Sequence, residues 1–281
     1  MSADQIQRFL FRDHAVRGQV IHLNQAWRSM LKDRHYPTPL VKMLGELTAF
    51  ACLLANGLKH PGRIILQVQG TGPVNLLVVE VSHELQLKGM AKTNAPITDQ
   101  QSADALLGDG QILVTLENPQ TDHLYQSYVP REGDDLVSSL QGFLTQSEQL
   151  DSRFWVSVSE QAIGGLYLQK MPQTDGHDAD AWDRVTHLAG TVKAEELESL
   201  ENETLLTRLF HEEQVELFEA RPLEHHCPQD RQRVATMIQS LGEEEARSIL
   251  AEHGEIVVFN DMCNYHERFS EQDIDQLFQP Q

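Results

Sequence analysis

The side chains best suited to chemistry lie near the C-terminus of this 281-residue chain. His225, His226 and Cys227 stand side by side, and Cys263 and His266 follow further along. Thiolate sulfur and imidazole nitrogen are ligands that zinc prefers, and a structural zinc site takes four of them in a tetrahedron. The H-x-C and C-x-x-H spacings therefore make this group a candidate metal site, although two thiols and a few histidines also occur together by chance.

The rest of the chain lacks the short motifs that mark the common enzyme classes. It contains no GxSxG nucleophile turn, no HExxH metal motif, no Walker A loop and no CxxC pair. The Gly70-Thr71-Gly72 turn is not a dinucleotide fingerprint, because Asn75 replaces the third glycine and a strand-like run follows. We therefore expect neither an enzyme nor a nucleotide-binding protein.

Composition restricts the partners of the chain. It has 42 acidic and 22 basic residues, which gives a net charge of -20 at pH 7. This charge repels nucleic-acid phosphates and anionic lipid headgroups, so we expect neither nucleic acid nor a membrane as a partner. Three cysteines are too few for a secreted disulfide framework, and the first residues show no export signal, which together favour the cytoplasm.

Residues 1–174 are predicted to form an α+β domain, because strand-like runs separated by turn signals dominate this part of the sequence. The runs are 7–12, 15–23, 63–69, 74–81, 84–90, 111–117, 124–129, 154–159 and 162–170. They predict a sheet domain with a few helices between the strands.

One long apolar segment in this domain predicts a helix, with Thr38 as its N-cap and Gly57 at its C-terminal end. The segment is apolar around most of its circumference, which requires burial on several sides. Lys42 and Glu46 make it too costly to place in a bilayer, so we expect a core helix beneath the sheet. Cys52 lies inside this helix and is predicted to be an inert, packed thiol.

A helical linker is predicted over residues 175–214. The sequence becomes polar and turn-rich between Pro172 and His177, which is typical of a domain boundary. Two amphipathic stripes follow, and the second consists of Leu205, Leu206, Leu209 and Phe210. Such a stripe either packs permanently on the first domain or becomes exposed under certain conditions.

Residues 215–281 predict a small C-terminal α/β unit. Two short helices lead into a strand at 255–259, and Ser270 with Asp273 forms a capping box for a last helix. A unit of this size with so few large apolar residues has a marginal core. It therefore needs a cross-link, a metal or a docking surface.

Several segments, taken in order, resemble the 33 kDa chaperonin (heat-shock protein 33) family over nearly the whole chain. The segments are RFLF at 8–11, AVRG at 15–18, GPVNLLVVE at 72–80, LKGMA at 87–91, QSEQL at 146–150, GGLYLQ at 164–169 and SILAEHGEI at 248–256. The resemblance implies an N-terminal α+β domain, a helical linker and a C-terminal zinc-binding redox switch. In the family, four cysteines in C-x-C and C-x-x-C motifs hold zinc. Their oxidation expels the metal, unfolds the small domain and the linker, and exposes an apolar client-binding surface.

The chain departs from this pattern at the redox motifs themselves. The C-x-C motif reads Cys227-Pro228-Gln229, and the C-x-x-C motif reads Asn260-Asp261-Met262-Cys263. One thiol of each pair remains, so an all-thiolate zinc site and both disulfides within the motifs are excluded. Redox control by the family mechanism is therefore expected to be weakened or altered.

Three alternatives follow for Cys227 and Cys263. Zinc persists, with His225 or His226 and His266 completing the ligand set. Alternatively, the two thiols form one disulfide worth about 3 to 4 kcal/mol, which locks the unit instead of releasing it. The third alternative, which we prefer, is a metal-free unit held by packing alone. Its predicted core residues are Val234, Ile238, Leu241, Ile249, Leu250, Val257 and Ile274.

The resemblance implies a cytoplasmic, ATP-independent holdase that binds unfolded or partly folded client proteins under heat or oxidative stress. Leu205, Leu206, Leu209 and Phe210 are then the candidate client-binding residues, uncovered when the switch unit loosens. A homodimer is expected in the activated state. The alternative from a different functional class is an acidic adaptor that recognises a basic protein partner through charge.

Overall fold

The computed structural model describes residues 3–119, 123–131, 135–172, 178 and 180–279. They fall into two compact units, which divide between His225 and His226. The strands of the first unit are β1 (Gln5–Phe11), β2 (Val16–Leu23), β3 (Arg63–Gln69), β4 (Val74–Ser82), β5 (Gln86–Thr93), β6 (Gln111–Asn118), β7 (His123–Val129), β8 (Ser152–Val158), β9 (Ile163–Lys170), β10 (Val215–Leu217), β11 (Arg221–Pro222) and β12 (Glu224–His225). Its helices are α1 (Gln25–Leu31), α2 (Thr38–Asn56), α3 (Ala103–Leu107), α4 (Leu136–Glu148), α5 (Ala181–Ala189), α6 (Ala194–Ser199) and α7 (Asn202–Phe210).

The strands of the first unit form two six-stranded sheets. The first sheet has the order β10-β1-β2-β9-β8, with β11 also paired to β1, and its pairs are antiparallel. The second sheet has the order β12-β5-β4-β3-β6-β7, in which the β12–β5 pair is parallel and the others are antiparallel. This mixture of antiparallel sheets and helices confirms the predicted α+β class.

The nine strand-like runs predicted from the sequence are all strands, with ends that shift by a few residues. The short strands β10, β11 and β12 were not predicted, because two or three residues are too few to show an alternating pattern. They belong to the sheets of the first unit, although the sequence places residues from 215 onward in the C-terminal part. The predicted boundary at 174/175 lies outside the described residues, and the division into three parts stays a prediction.

Helix α2 forms the core of the first unit. It contacts β3, β4 and β5 of the second sheet and β8 and β9 of the first, so it lies between the two sheets. By length and composition alone it could cross a membrane, but it is mostly buried in protein, as predicted for a core helix. Cys52 on this helix is fully buried, which confirms the predicted packing, and burial raises the pKa of its thiol, which disfavours the reactive thiolate.

The start of α2 differs from the sequence prediction. Thr38 is the first helical residue and Pro37 is the N-cap, so the prediction of Thr38 as N-cap is wrong. Pro39 in the first turn is compatible with either start, because the N–H groups of the first turn have no partner within the helix. Gly57 is the C-cap, as predicted.

Glu46 is a carboxyl group buried on this core helix, with 5% of its surface exposed. Burial raises the pKa of Glu46 to about 7, and Lys42, whose Nζ lies 3.8 Å from Oε1, offsets part of that shift. The folded protein therefore holds this proton more tightly than the unfolded chain does. The free energy of unfolding should fall as pH rises from about 4.5 through 7, because ionised Glu46 is costly to bury.

We expect the substitution Glu46→Gln to stabilise the protein at pH 8 by roughly 2 to 3 kcal/mol, because an amide carries no charge to bury. At pH 4.5, where Glu46 is protonated in the folded protein, the two proteins should unfold at nearly the same temperature. Thermal unfolding at both pH values measures the difference. Glu160→Gln, at an exposed carboxylate, is the control and should shift neither midpoint. Equal stabilisation at both pH values would contradict the role of Glu46 ionisation.

The second unit contains three helices and a two-stranded hairpin. The helices are α8 (Arg231–Leu241), α9 (Glu243–His253) and α10 (Glu271–Leu277), and the hairpin pairs β13 (Ile256–Asn260) with β14 (Tyr265–Phe269). The buried core residues are Ala235, Ile238, Ala246, Ile256, Phe269 and Ile274. The predicted capping box of Ser270 and Asp273 is present at the start of α10.

Two of the predicted core residues of this unit are exposed. Leu241 is 52% exposed at the last position of α8, and Val257 is 42% exposed on β13. Val257 points away from the core because side chains alternate along a strand and its neighbour Ile256 points inward. Strand β14 was not predicted, because its sequence YHERF has too few apolar residues to show the alternation.

Candidate functional site

Cys227 and Cys263 form a disulfide in the second unit, with their Cα atoms 5.5 Å apart. Cys227 lies before α8, and Cys263 lies in the turn between β13 and β14. The bond joins residues that are 36 positions apart in the sequence. It therefore ties the beginning of the unit to its hairpin.

Hydrogen bonds from the hairpin hold both sides of this cross-link. Asn260 accepts the backbone N–H of Cys263 on its Oδ1 at 3.1 Å, which shapes the turn. The Tyr265 hydroxyl accepts the N–H of Asp230 at 3.4 Å and lies 3.5 Å from the carbonyl oxygen of Pro228. Asn260 stands where the family resemblance implies a cysteine, and in this chain its amide supports the turn.

The disulfide determines whether these residues fit a zinc ion. A cysteine binds zinc as a thiolate, whereas the sulfur atoms of Cys227 and Cys263 are bonded to each other. In the part of the chain that the structure describes, no three His, Cys, Asp or Glu side chains are grouped as a metal site requires. The disulfide-bonded form therefore does not fit zinc.

The histidines predicted as zinc ligands have other surroundings. His225 lies in β12 of the first unit, where its backbone pairs with Leu87 of β5. His226 is exposed, and the exposed His266 packs against Phe259 with the ring centroids 4.6 Å apart. A ligand set that includes these histidines stays a prediction for the reduced protein.

Among the three alternatives for the two cysteines, the structure has the disulfide. This differs from the alternative that we preferred from the sequence, a unit held by packing alone. The physical reason is the size of the core, because the described hydrophobic cluster of this unit has only six buried residues. A cross-link compensates for a core of that size.

Helices α5, α6 and α7, which we call the linker helices, cover one face of the first sheet. Their apolar residues and those of the sheet form one buried cluster. The sheet contributes Phe9, Phe11, Val16, Val20, Leu166 and Leu168, and the linker helices contribute Trp182, Val185, Ala189, Leu197, Leu205, Leu206, Leu209 and Phe210. The other face of the same sheet packs toward α2, so this sheet buries apolar residues on both sides.

The predicted stripe on α7 lies entirely within this cluster. Leu205, Leu206, Leu209 and Phe210 are at most 2% exposed. The ring of Phe210 meets the ring of Phe11 edge to face, with centroids 5.0 Å apart. A fully buried side chain of this size contributes roughly 1.5 to 3 kcal/mol, so the stripe holds the linker helices on the sheet.

A buried polar cluster also joins the linker to the first sheet. Glu213, which follows α7, bonds to Nε2 of His14 at 2.7 Å and to Nε of Arg184 on α5 at 2.8 Å. Burial alone would raise the pKa of Glu213, but the hydrogen bonds from Arg184 and His14 outweigh it and lower the pKa. Glu213 is therefore ionised at neutral pH and links α5 to the turn that precedes β2.

Helix α6 is attached to the same sheet through side chains and backbone. Glu198 accepts hydrogen bonds from the hydroxyl groups of Ser157 at 2.5 Å and Ser159 at 2.8 Å. A Cβ atom placed on Gly164 of β9 would lie 2.0 Å from the carbonyl oxygen of Leu197. The backbone of α6 therefore packs directly on the backbone of β9, which requires glycine at position 164.

We expect Gly164→Ala to lift α6 from the sheet and to weaken the docking of the linker helices by roughly 1 to 3 kcal/mol, the usual cost of overpacking. Limited proteolysis followed by mass spectrometry should show faster cleavage between residues 181 and 210 than in the wild type. Gly190→Ala is the matched control, because a Cβ there meets its nearest atoms at an ordinary 3.4 Å. Equal cleavage rates in the two variants would contradict the close packing of α6.

The α7 stripe was predicted from the sequence, whereas the individual sheet residues beneath it were not. A signal was present, because the 162–170 run is apolar on consecutive positions and strands of that kind are covered on both faces. His14 was also missed, since its partners Glu213 and Arg184 lie far away in sequence. Pairings of that kind depend on the fold.

Comparisons with known proteins agree with this architecture. A family model described as Hsp33 protein matches residues 4–270. The chain is 40% identical over 278 residues to a 33 kDa chaperonin of Methylobacillus flagellatus, covering 98% of this chain and 94% of the relative. It is 39% identical over 277 residues to a 33 kDa chaperonin of Chromobacterium violaceum, with the same coverage of both chains.

A solved structure has the same fold. The crystal structure of the 33 kDa chaperonin (heat shock protein 33 homolog) of Thermotoga maritima matches with a TM-score of 0.80 and 20% sequence identity. The match covers 98% of this chain and 97% of that one. These comparisons give no support to the alternative of an acidic adaptor.

Proposed function

Because the chain belongs to the Hsp33 protein family, we propose that it is an ATP-independent holdase. Such a chaperone keeps unfolding proteins from aggregating under heat or oxidative stress. Its clients are unfolded or partly folded proteins, which it binds without hydrolysing a nucleotide. The observation that supports this most directly is the buried apolar layer between the linker helices and the first sheet.

Detachment of the linker helices uncovers two apolar surfaces at once. One is the α7 stripe of Leu205, Leu206, Leu209 and Phe210, and the other is the face of the first sheet beneath it. The strands of that sheet keep their backbone hydrogen bonds when the helices leave, because each strand pairs with its neighbours. Unfolding clients expose apolar side chains, and burying them on such a surface is favourable by about 25 cal/mol per Å².

The trigger for detachment should differ from the four-thiol switch that the family resemblance implies. Only Cys227 and Cys263 remain of the four cysteines, so we propose that redox control is weakened or altered and that heat has a larger part. In the reduced protein these two thiols, with His225 or His226 and His266, are the proposed zinc ligands. Bound zinc would add folding free energy to the small unit.

The cellular setting follows from charge and composition. We propose that the protein acts in the cytoplasm, has no catalytic activity, and binds neither nucleic acid nor membranes. A net charge of -20 keeps the free protein soluble and repels phosphate groups. A homodimer on activation is part of the same proposal, since two uncovered apolar faces can bury each other.

The test measures light scattering from a heat-unfolding client enzyme in the presence of the purified protein. We expect near-stoichiometric suppression of aggregation without nucleotide, and no further change when ATP is added. An inert protein of similar size and acidity is the control for crowding and charge. Absence of suppression in both the oxidised and the reduced protein, even at elevated temperature, would overturn the proposed function.

A further inference from the structure

A large groove in the first unit carries a group of basic side chains in an acidic protein. It has a volume of about 1470 Å³ and lies between the inward face of the first sheet and the C-terminal end of α2. Arg8, Arg17, Lys59 and Arg221 line it. The whole chain has 22 basic residues against 42 acidic ones, so four basic residues in one groove form a local positive field.

Two of these arginines are held by neutral oxygen atoms. Arg8 donates to the backbone carbonyl oxygen of Asn56, and Arg221 donates to Oδ1 of Asn56 at 2.8 Å and to the carbonyl oxygen of His83 at 2.5 Å. None of the ion pairs found among the described residues includes Arg8 or Arg221. Burial, followed by repulsion from Arg221 and Arg17, lowers the pKa of Arg8.

Buried amide side chains fix the positions of these guanidinium groups. Asn56 is 1% exposed, and its Nδ2 donates to Oε1 of Gln19 at 2.7 Å, so its Oδ1 is directed at Arg221. Gln169 is also 1% exposed, and its Oε1 accepts hydrogen bonds from Arg17 at 2.8 and 2.5 Å. Arg8 and Arg221 also donate hydrogen bonds to oxygen atoms of Asn56 at the C-terminal end of α2. Each guanidinium has five N–H donors, and these contacts use only one or two of them.

The walls next to the basic residues are apolar. They include Leu53, Leu54, Leu58, Leu144 and Phe218, of which Phe218 is 44% exposed at the groove opening. Arginine pairs with carboxylate and phosphate in a bidentate geometry, and adjacent leucines bind hydrocarbon. The lining therefore matches a ligand that is anionic at one end and apolar at the other. One carboxylate, that of Glu219, also borders the groove.

We propose that this groove binds a small organic anion, whose carboxylate or phosphate group pairs with Arg8 and Arg221 and whose hydrocarbon part lies on the leucine wall. The test is isothermal titration calorimetry of the full chain with octanoate, octyl phosphate, 1-octanol and inorganic phosphate. We expect saturable binding of one equivalent of octanoate or octyl phosphate. Whichever of these two ligands binds more tightly shows whether the groove prefers a carboxylate or a phosphate group. No saturable binding is expected for 1-octanol.

Two variants assign the binding to the groove. Arg221→Gln should weaken the binding of the octyl anion at least tenfold, whereas Arg12→Gln should leave it unchanged. Arg12 is exposed and pairs with Glu216, and it does not line the groove. Thermal unfolding monitors the fold of each variant. Arg8→Gln, which removes the other guanidinium proposed to pair with the anion, replaces Arg221→Gln should that variant fail to fold.

Three results would overturn the proposal. The first is 1-octanol binding as tightly as the anions, and the second is inorganic phosphate binding as tightly as octyl phosphate, which would make the apolar wall irrelevant. The third is octyl anion binding that a folded Arg221→Gln or Arg8→Gln variant retains. Each readout is a binding constant, so the result is independent of chaperone activity.

Discussion

Reduction of the Cys227–Cys263 disulfide will destabilise the second unit by about 4 kcal/mol in the chain-entropy model. The bond joins residues 36 positions apart, and a cross-link over that distance restricts the unfolded chain far more than the folded one. A change of this size shifts the folding equilibrium of the unit by roughly several hundredfold. We therefore expect dithiothreitol, which reduces the disulfide to two thiols, to increase client protection at a fixed moderate temperature when a chelator keeps zinc from binding those thiols.

Peroxide should have the opposite effect, because it restores the cross-link and keeps the unit folded. The direction is the reverse of that of the four-cysteine switch that the family resemblance implies. Light scattering of a client, measured before and after each treatment, gives the direction, and thiol counting confirms the redox state. Cys52 should not contribute to either effect, because its thiol is buried and its pKa is raised.

The double substitution Cys227→Ser and Cys263→Ser is the matched control for this result. It should behave like the reduced wild type in both reagents, with a lower unfolding midpoint for the second unit. Hydrogen exchange resolves the two units and shows whether the loss of protection is confined to residues 226–279. A peroxide-dependent gain in client protection that needs both cysteines would show that oxidation still activates the protein.

The second large effect is expected from Phe210→Ala on the linker. Phe210 is 2% exposed, and its ring packs against Phe11 and Phe9 of the sheet, at 5.0 and 6.4 Å between centroids. Removing a buried phenylalanine side chain costs about 3 to 5 kcal/mol through lost burial and the cavity left behind. We expect the linker helices to detach more readily and the variant to protect clients at temperatures where the wild type is inactive.

Phe218→Ala is the control for this substitution, because Phe218 is 44% exposed and lies outside the cluster beneath the linker. It should leave the onset temperature of client protection unchanged. Protease cleavage within residues 181–210, measured in parallel, reports detachment of the linker directly. Increased cleavage in Phe210→Ala without any gain in client protection would separate linker detachment from client binding and would contradict the proposed mechanism.

Sequence patterns were sufficient for those parts of the fold that depend on local periodicity. The nine longer strands and the core helix α2 were predicted because alternation and an all-round apolar surface are visible within a few residues. Strands β10, β11 and β12 were not visible in this way, since they are fixed by pairing with distant strands. Val257 was assigned to the wrong face because a short strand gives no independent sign of which side is buried.

The candidate site likewise has one part that local spacing predicts and another part that depends on the fold. The α7 stripe follows from helical spacing, whereas Phe9 and Phe11 beneath it could be assigned only once the strand order was known. Their burial on that face depends on long-range packing. The pairing of Cys227 with Cys263 was one of three alternatives, and choosing among them required the distance between their Cα atoms. The spacing of residues along the sequence gives neither the distance between two distant cysteines nor the face of a sheet on which a side chain lies.

The position of the disulfide within the second unit has a further consequence. The covalent ring between Cys227 and Cys263 encloses α8, α9 and β13, and it leaves β14 and α10 outside. Ring closure restricts the enclosed residues only, so α10 is retained by noncovalent contacts, such as buried Ile274 and the Arg231–Asp273 ion pair at 2.8 Å. We therefore expect warming of the disulfide-bonded protein to release α10 and β14 before the enclosed α8, α9 and β13.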